Sequence, residues 1–311
     1  MRGVKTPLIE SLYPRLSKPG RIPSLASVGR SRLVSGASMK TRTVQIGGVR
    51  VGGGASLALI AGPCIIESRA GCLDLARRLA ALAAEERIPL IFKASFDKAN
   101  RSAITSFRGP GLVDGLTILA EIKEKTGLPV LTDVHAVEQV APVSEVVDVL
   151  QVPAFLCRQT DLLIACGESG RVVNVKKGQF LAPGDMANVV DKIASTGNRN
   201  ILLTERGSTF GYQNLVVDMR ALPQMRALGY PVVFDATHSV QKPGGGGTYT
   251  SGDSTMVPVL ARAAVAAGCD AVFMETHVNP ARAKSDKDNA IAFRHLRGVW
   301  RTLRSLHAAV A

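Results

Sequence analysis

The sequence predicts an α/β protein that folds as a TIM (β/α)8 barrel, and three observations lead to this fold class. First, eight short apolar runs follow one another from residue 57 onward, and Ala- and Leu-rich amphipathic stretches separate most of them. Second, the runs are apolar on both faces, which is typical of parallel strands covered by helices. Third, eight such units in about 250 residues match the size of this barrel. A doubly wound sheet is the alternative, but no GxGxxG segment follows the first run.

The predicted elements can be read in chain order. The strand candidates are LALIAGP, PLIFKAS, PVLTDVH, VVDVLQVP, RVVNVKKG, NILLTERG, PVVFDATH and AVFMETH. The clearest helices are CLDLARRLAALAAEE, GLTILAEIKEKTG and VPVLARAAVAAG, each ending near a Gly or Pro that interrupts the helical period. We therefore expect a single catalytic barrel domain over residues 46–311.

Residues 1–45 differ from the rest of the chain in composition. Residues 1–50 carry +9 of the formal net charge of +13, and residues 1–45 show no sustained apolar period. We expect a disordered basic extension; an organelle transit peptide and a start codon assigned too early, with Met39 as the true start, stay open. The remaining +4 argues against a nucleic-acid-binding body.

Two further features of the sequence indicate the cellular compartment in which the protein is expected. No apolar run approaches the roughly 18 residues of a membrane span. The five cysteines are scattered and form no CxxC pair, which favours reduced thiols and a cytoplasmic protein.

Polar residues stand at the end of nearly every predicted strand. Because the chemistry of a TIM barrel lies at the carboxyl ends of its strands, we expect these side chains to project into one mouth. In chain order they are Cys64, Lys93, Asp133 with His135, Gln151, Lys176, Arg206, Asp235 with His238, and Glu275.

Two sets of residues in this mouth, some at strand ends and some in the loops that follow, can be separated by charge. Cations suited to phosphate and carboxylate groups form the first set: Lys93, Lys98, Arg101, Lys176 and Arg206. Thiol, imidazole and carboxylate groups that could accept a divalent metal form the second: Cys64, His238, Glu275 and a later acid such as Asp286. Spacing alone leaves the metal open, since each member also fits a structural role as a small buried side chain, a hydrogen-bonded loop histidine or a solvated acid.

Several motifs together resemble the 3-deoxy-D-manno-octulosonate 8-phosphate synthases. The resemblance runs almost collinearly from about residue 57 to residue 290. The motifs are IAGPCIIES, FKASFDKANRSAITSFRGPG, LTDVH, DVLQVPAFLCRQTDLL, NVKKGQF, TERGSTFGYQNLVVDMR, FDATHSVQ and METH. The resemblance implies a TIM barrel, usually a homotetramer, that condenses phosphoenolpyruvate with arabinose 5-phosphate and water in lipopolysaccharide biosynthesis.

The resemblance also implies roles for individual residues. Lys93, Lys98, Lys176 and Arg206 would hold phosphoenolpyruvate, and Asn100, Arg101 and Ser102 of KANRS would reach arabinose 5-phosphate. Cys64 in GPC, where metal-independent members have Asn, implies the metal-dependent class with Cys64, His238, Glu275 and Asp286 as ligands. The metal stays open among Zn, Fe, Mn and Cd, and no organic cofactor is expected. The expected catalytic groups are Lys98, Asp133, His135, His238 and Asp286, with Gln151 as a further substrate-binding or water-handling group.

Two segments depart from the family pattern. The loop QKPGGGGTYTSGDSTMVPVL lacks an expected Arg-Glu-Phe-like run, and SDKDNAIAF replaces a more usual Gly-Pro after Asp286. The first departure puts loop closure in doubt and leaves a mobile Gly-rich lid as a hypothesis.

Two rival functions stay open. One is the related synthase that uses erythrose 4-phosphate, for which a KPRTS-like segment would be expected. The other is a catalytically silent barrel that binds sugar phosphate.

Overall fold

The computed structural model of the chain describes residues 40–247 and 249–310. Most of the predicted basic extension, residues 1–39, therefore lies outside the described residues. Its last residues, 40–45, pack against the barrel: the backbone N–H of Arg42 donates to the carbonyl of Gly229 at 2.9 Å, and Thr41 is buried. The predicted domain boundary at residue 46 falls inside the first strand.

Strands and helices alternate along the described residues as the apolar pattern predicts. The strands are β1 (Val44–Ile46), β2 (Val49–Val51), β3 (Ala58–Gly62), β4 (Leu90–Lys93), β5 (Val130–Asp133), β6 (Val149–Val152), β7 (Val172–Lys176), β8 (Ile201–Glu205), β9 (Ser208–Thr209), β10 (Leu215–Val216), β11 (Val232–Asp235), β12 (Gln241–Lys242), β13 (Ser251–Gly252), β14 (Ala271–His277) and β15 (Ile291–Ala292). The helices are α1 (Arg69–Glu86), α2 (Leu112–Thr126), α3 (Val137–Val146), α4 (Thr160–Glu168), α5 (Met186–Ala194), α6 (Ala221–Arg226), α7 (Val257–Ala267) and α8 (Phe293–Val310).

Eight of these strands close into a parallel barrel, which confirms the predicted fold class. Strands β3 to β8 pair in sequence order, β11 pairs with β8, and β14 pairs with both β11 and β3. Each of the eight predicted runs contains one barrel strand, and the three predicted helices correspond to α1, α2 and α7.

The core has two layers because side chains alternate between the two faces of each strand. Outward-facing residues such as Leu59, Phe92 and Val173 pack against the helices. Inward-facing residues such as Ile60 and Ile91 fill the barrel interior, together with Val44, Ile46, Val49 and Val51 of the β1–β2 hairpin. The hairpin therefore closes the barrel at the amino ends of the strands.

The same alternation points the strand-end residues into the barrel. Lys93 follows inward-facing Ile91 by two positions, and Asp133 follows inward-facing Leu131 in the same way. The barrel interior is thus apolar at one end and polar at the other. Across the described ranges, no helix combines the length and apolar character that crossing a membrane would require.

Candidate active site

A cavity of about 700 Å³ opens at the carboxyl ends of the barrel strands. Most of the predicted site residues line it, and they come from the carboxyl ends of seven of the barrel strands and from the connections that follow them. These residues are Lys93, Lys98, Asn100, Arg101, Ser102, Asp133, His135, Gln151, Lys176, Arg206, His238 and Asp286. The remaining three, Cys64, Asp235 and Glu275, lie beside the cavity and contact residues that line it.

Cys64, Glu275 and Asp286 form a compact group of possible metal ligands. One ligand atom from each of the three lies within 4.8 Å of the others. The Cys64 thiol donates to Asp286 Oδ2 at 2.9 Å, and Glu275 Oε2 is buried without a hydrogen-bond partner. A thiol and two carboxylates that converge in this way fit a divalent cation, and the orphaned oxygen of Glu275 points to a missing partner.

His238 stands at the edge of this group. Its Nδ1 lies 2.7 Å from Asp235 Oδ2, and its Nε2 lies 3.5 Å from Glu275 Oε1. A carboxylate behind one ring nitrogen fixes the ring so that the other nitrogen faces forward, which is the usual arrangement of metal-binding histidines. The structure therefore brings all four predicted ligands together, with His238 outside the tight group of three.

The backbone of Asp286 adopts a left-handed conformation with φ of 47°. Asp is among the few residues that tolerate this region, and such backbone outliers concentrate at functional sites. The conformation is held by the N–H groups of Asn289 and Ala290, which both donate to the Asp286 carbonyl at 3.0 Å. The departure from the expected Gly-Pro thus still leaves the carboxylate of Asp286 facing Cys64.

The cations of the first set occupy the same mouth. Lys93 is buried, and its Nζ donates to the Cys64 carbonyl and to Glu275 Oε1, each at 2.8 Å. Lys176 Nζ donates to Asp235 Oδ2 at 2.7 Å. Arg206 donates through Nη2 to Gln241, while its Nη1 is buried with no partner.

The loop after β4 places a second guanidinium across the cavity. Arg101 donates through Nε to the Phe107 carbonyl and through Nη1 to Ser285 Oγ, both at 2.9 Å. Its Nη2 is buried and has no partner. Two arginines, one on each side of Asp286, therefore each keep one buried donor unused.

Asp133 ends a chain of buried hydrogen bonds that crosses five strands or strand ends. The Thr204 hydroxyl donates to Asn174 at 2.6 Å, Asn174 donates to Gln151 at 2.9 Å, and Gln151 donates to Asp133 Oδ1 at 2.5 Å. The Ser95 hydroxyl donates to the other oxygen of Asp133. Because every donor points toward Asp133, the chain stabilises its ionised form.

Several strongly shifted pKa values reflect the crowding of buried charges. Burial would raise the pKa of Asp133, but the charges of Lys93, Lys98 and Lys176 outweigh it and hold the pKa well below its usual range. Burial also opposes ionisation of Asp286, whose pKa is nevertheless lowered, chiefly by His238 and Lys98. Both carboxylates are therefore anions at neutral pH.

Burial keeps two other groups of the site neutral. Burial raises the pKa of Cys64, and the charges of Asp286 and Glu275 raise it further. Burial lowers the pKa of His135, whose Nδ1 is buried without a partner. In the metal-free protein the Cys64 thiol is thus protonated, and the His135 ring is neutral at pH 7.

Sequence reasoning missed several residues of the site. Ser95, Asn174 and Thr204 belong to the buried chain, and Gln241 and Ser285 contact Asp286. Asn174 and Thr204 could have been found by counting back two positions from Lys176 and Arg206, since that step stays on the inner face of a strand.

Comparison with known proteins identifies relatives over nearly the whole barrel. The DAHP synthetase I family model matches residues 35–310. A relative in Pelobacter propionicus is 59% identical over 270 residues, which are 87% of this chain and 99% of the relative. Relatives in Geobacter sp. (strain M21) and Geobacter sulfurreducens are 57% and 55% identical with the same coverage. All three are named 2-dehydro-3-deoxyphosphooctonate aldolase, so the resemblance inferred from the motifs is confirmed. The chain therefore belongs to the DAHP synthetase I family.

Proposed function

We propose that the chain condenses phosphoenolpyruvate with D-arabinose 5-phosphate and water, giving 3-deoxy-D-manno-octulosonate 8-phosphate and inorganic phosphate. It is a transferase, 3-deoxy-8-phosphooctulonate synthase. The names of the relatives support this activity, and so does the KANRS segment in place of the KPRTS-like segment of the erythrose 4-phosphate enzymes. The erythrose 4-phosphate alternative is not favoured.

One observation in the structure carries the proposal. Two guanidinium groups, those of half-buried Arg101 and buried Arg206, stand in one cavity on either side of Asp286, and each holds one buried donor atom without a partner. A buried donor without a partner costs free energy that a bound anion would recover. Because there are two such groups, the cavity suits two anionic substrates held side by side.

The substrate-binding residues follow from this arrangement and from the family resemblance. We assign phosphoenolpyruvate to Arg206, Lys176, Lys93 and Lys98, with Gln151 beside them. We assign the phosphate end of arabinose 5-phosphate to the KANRS segment, through Asn100, Arg101 and Ser102. The fixed cations screen the repulsion between the two substrates and so permit their close approach, which is itself a large part of catalysis.

The reaction balances as follows. The C2–C3 double bond of phosphoenolpyruvate supplies the electron pair for a new bond from C3 to the aldehyde carbon, and the aldehyde oxygen gains a proton. Water adds to C2 and loses a proton. The bond from C2 to the bridging oxygen then breaks, the departing phosphate takes the proton that the C2 hydroxyl gives up, and C2 becomes the ketone of the product.

Residues on the cavity wall can move these protons. Asp133 is an ionised acceptor fixed by Ser95 and Gln151, and Lys98 Nζ lies 4.0 Å from its Oδ2. His135 is neutral and keeps a buried ring nitrogen without a partner, so it can accept a proton. Burial lowers the pKa of Lys98, but the negative charges around it, that of Asp133 among them, outweigh burial and raise the pKa. Lys98 therefore stays protonated and can stabilise negative charge that develops on the aldehyde oxygen.

We also propose that a divalent metal ion is held by Cys64, His238, Glu275 and Asp286. The convergence of three of these donors and the orphaned oxygen of Glu275 support this assignment. When bound, such an ion supplies Lewis-acid chemistry that polarises the aldehyde oxygen. The donor set suits Zn, Fe, Mn or Cd.

The assembly and location proposed from the sequence are a homotetramer in the cytoplasm. Exposed Phe155, Phe180, Phe210 and Tyr212 support an assembly in which copies of the chain cover apolar surface. All five cysteines are free and buried, as in a reducing compartment. Sedimentation velocity of the full chain would test the tetramer.

Phosphate release tests the reaction directly. The full chain is incubated with phosphoenolpyruvate and either arabinose 5-phosphate or erythrose 4-phosphate, before and after chelator treatment, and divalent metals are then added back one at a time. We expect activity with arabinose 5-phosphate that the chelator abolishes and an added metal restores. Cys64→Asn tests the ligand assignment, because it should weaken metal retention measured by elemental analysis.

Each other outcome overturns a defined part of the proposal. Activity that survives complete metal removal would refute the ligand assignment and leave the synthase intact. A preference for erythrose 4-phosphate would refute the substrate. Binding of both substrates without phosphate release under any metal would favour the silent sugar-phosphate-binding barrel.

A further inference from the structure

Gln241 lies between the two halves of the proposed site. It opens the short strand β12, three residues after His238, and its half-buried side chain lines the cavity. β12 pairs with β13, so Gln241 also stands at the base of the Gly-rich loop, residues 243–250. Nothing in the motif resemblance assigns a role to this residue.

The side-chain amide of Gln241 bridges a cation and an anion. Arg206 Nη2 donates to its Oε1 at 2.5 Å, and its Nε2 donates to Asp286 Oδ1 at 2.7 Å. A guanidinium can only donate and an ionised carboxylate can only accept, so the orientation of the amide is fixed. Of the natural side chains of this length, Gln alone can make both bonds.

The amide of Gln241 stands between two opposite charges that make no direct ion pair with each other. Among the described residues, none of the ion pairs within 4.0 Å includes Arg206. In this part of the chain, Arg206 is connected to Asp286 only through the side-chain amide of Gln241. With the amide in place, Arg206 keeps its buried Nη1 unpartnered, and Asp286 keeps Oδ2 toward Cys64. The cation thus stays available to an anion and the carboxylate stays available to the group of possible metal ligands.

We propose that Gln241 is a positioning residue that keeps Arg206 and Asp286 apart and fixes the position of each side chain. The phosphoenolpyruvate site and the metal-ligand group are then both formed before any ligand binds. The inference rests on the proposed function, because it takes phosphoenolpyruvate as the anion of Arg206 and a divalent metal as the partner of Asp286.

Two variants of the full chain separate the two halves of the bridge. Gln241→Met keeps the length of the side chain and removes both hydrogen bonds. Gln241→Glu keeps an acceptor for Arg206 but adds a negative charge beside it. Gln224→Met and Gln224→Glu on the exposed side of α6 are the matched controls.

Binding is measured without turnover. Isothermal titration gives the dissociation constant of phosphoenolpyruvate for chelator-treated protein, and equilibrium dialysis gives that of Mn²⁺ in the absence of phosphoenolpyruvate. Because each lost bond involves a charged group, we expect Gln241→Met to weaken each ligand by about ten-fold or more. Gln241→Glu should weaken phosphoenolpyruvate further than Gln241→Met does, since its carboxylate competes for Arg206. The Gln224 variants should match wild type.

The outcomes distinguish this inference from the function on which it rests. Wild-type protein that binds neither phosphoenolpyruvate nor Mn²⁺ would overturn the proposed function and the inference together. If wild type binds both ligands and Gln241→Met has the same two dissociation constants as wild type, the inference alone would be overturned. A lower melting temperature with both dissociation constants unchanged would show a merely structural role and refute positioning. Equal phosphoenolpyruvate affinity in Gln241→Glu and wild type would also refute it.

Discussion

Replacing Lys93 with methionine should destabilise the metal-free protein more than any surface lysine substitution. The Lys93 and Glu275 side chains are 1% and 0% exposed, and the Nζ–Oε1 distance is 2.8 Å. Methionine preserves much of the volume but leaves the Glu275 carboxylate buried without its cation, and Oε2 of that carboxylate already lacks a partner. Breaking a buried ion pair from one side costs about 3–5 kcal/mol.

Urea and thermal unfolding, followed by far-UV circular dichroism in the presence of a chelator, measure this loss. For a domain of this size, 3–5 kcal/mol corresponds to a melting temperature lower by about 5–9 °C. Lys40→Met is the matched control, because the Lys40 side chain is exposed and makes no hydrogen bond or ion pair with another described residue, and it should stay within about 0.5 kcal/mol of wild type. The double variant Lys93→Met/Glu275→Gln should lose less stability than Lys93→Met, because it removes the stranded charge.

Two results would refute this reasoning. A free energy of unfolding for Lys93→Met within about 1 kcal/mol of wild type would mean that the pair behaves like an exposed one. A double variant less stable than Lys93→Met would mean that the charge of Glu275 is not the source of the cost.

Three further predictions concern other parts of the chain. Asn174→Leu leaves Gln151 Oε1 without its donor, so steady-state kinetics should show kcat/KM lower by about ten-fold or more; an unchanged value would refute the role of the buried chain. Tyr249→Ala removes the ring that lies 4.9 Å from Lys287 Nζ, so limited proteolysis should cut the Gly-rich loop faster, and substrates should protect it less than in wild type. The pKa of Glu86 is lowered, mainly by its hydrogen bond to an arginine of α8, so wild type should lose stability below about pH 4.5 while Glu86→Gln changes less; parallel pH profiles would contradict this.

Proton linkage determines how the contribution of Glu86 to the free energy of unfolding changes with pH. A carboxyl whose pKa is lower in the folded state binds protons more readily when the chain is unfolded. Its contribution to stability is therefore present above the unfolded pKa and is lost as the pH falls toward the folded one. Arg301 donates to Glu86 Oε2 at 3.0 Å and to Oε1 at 2.7 Å.

The sequence was sufficient to predict the barrel and the gathering of polar strand-end residues around one cavity, because both depend on short-range patterns. Apolar runs on both faces predicted the eight strands, and parallel strands bring their carboxyl ends to one side of a barrel. Lys93 and Asp133, which are 40 positions apart in the chain, therefore reach one cavity without any need to predict the packing of the helices. Their roles in binding and catalysis remain predictions.

What the sequence could not show is which contacts form across the cavity. Gln241 and Asp286 share a hydrogen bond although they are 45 positions apart, and Asp286 has a left-handed backbone that no sequence pattern predicts. The hydrogen bond between Arg101 and Ser285 likewise spans 184 positions and joins two irregular loops. Neither loop has a period that pattern reasoning could use, so the positions of their side chains follow only from the folded structure.

Several buried polar atoms at the site lack hydrogen-bond partners, and these atoms indicate which kinds of ligand the site can bind. In the described residues, Arg101 Nη2, His135 Nδ1, Arg206 Nη1 and Glu275 Oε2 are four such atoms, and all lie in or beside the cavity. Native proteins leave few buried groups unpaired, so their concentration here costs stability that the rest of the barrel must supply. The two arginine nitrogens are donors, which suit anions, whereas the glutamate oxygen is an acceptor, which suits a cation. An anion would therefore gain free energy by pairing with the arginine donors, and a cation by pairing with the glutamate oxygen. Gln241 contacts both Arg206 and Asp286, and by our proposal it keeps these opposite charges from pairing with each other.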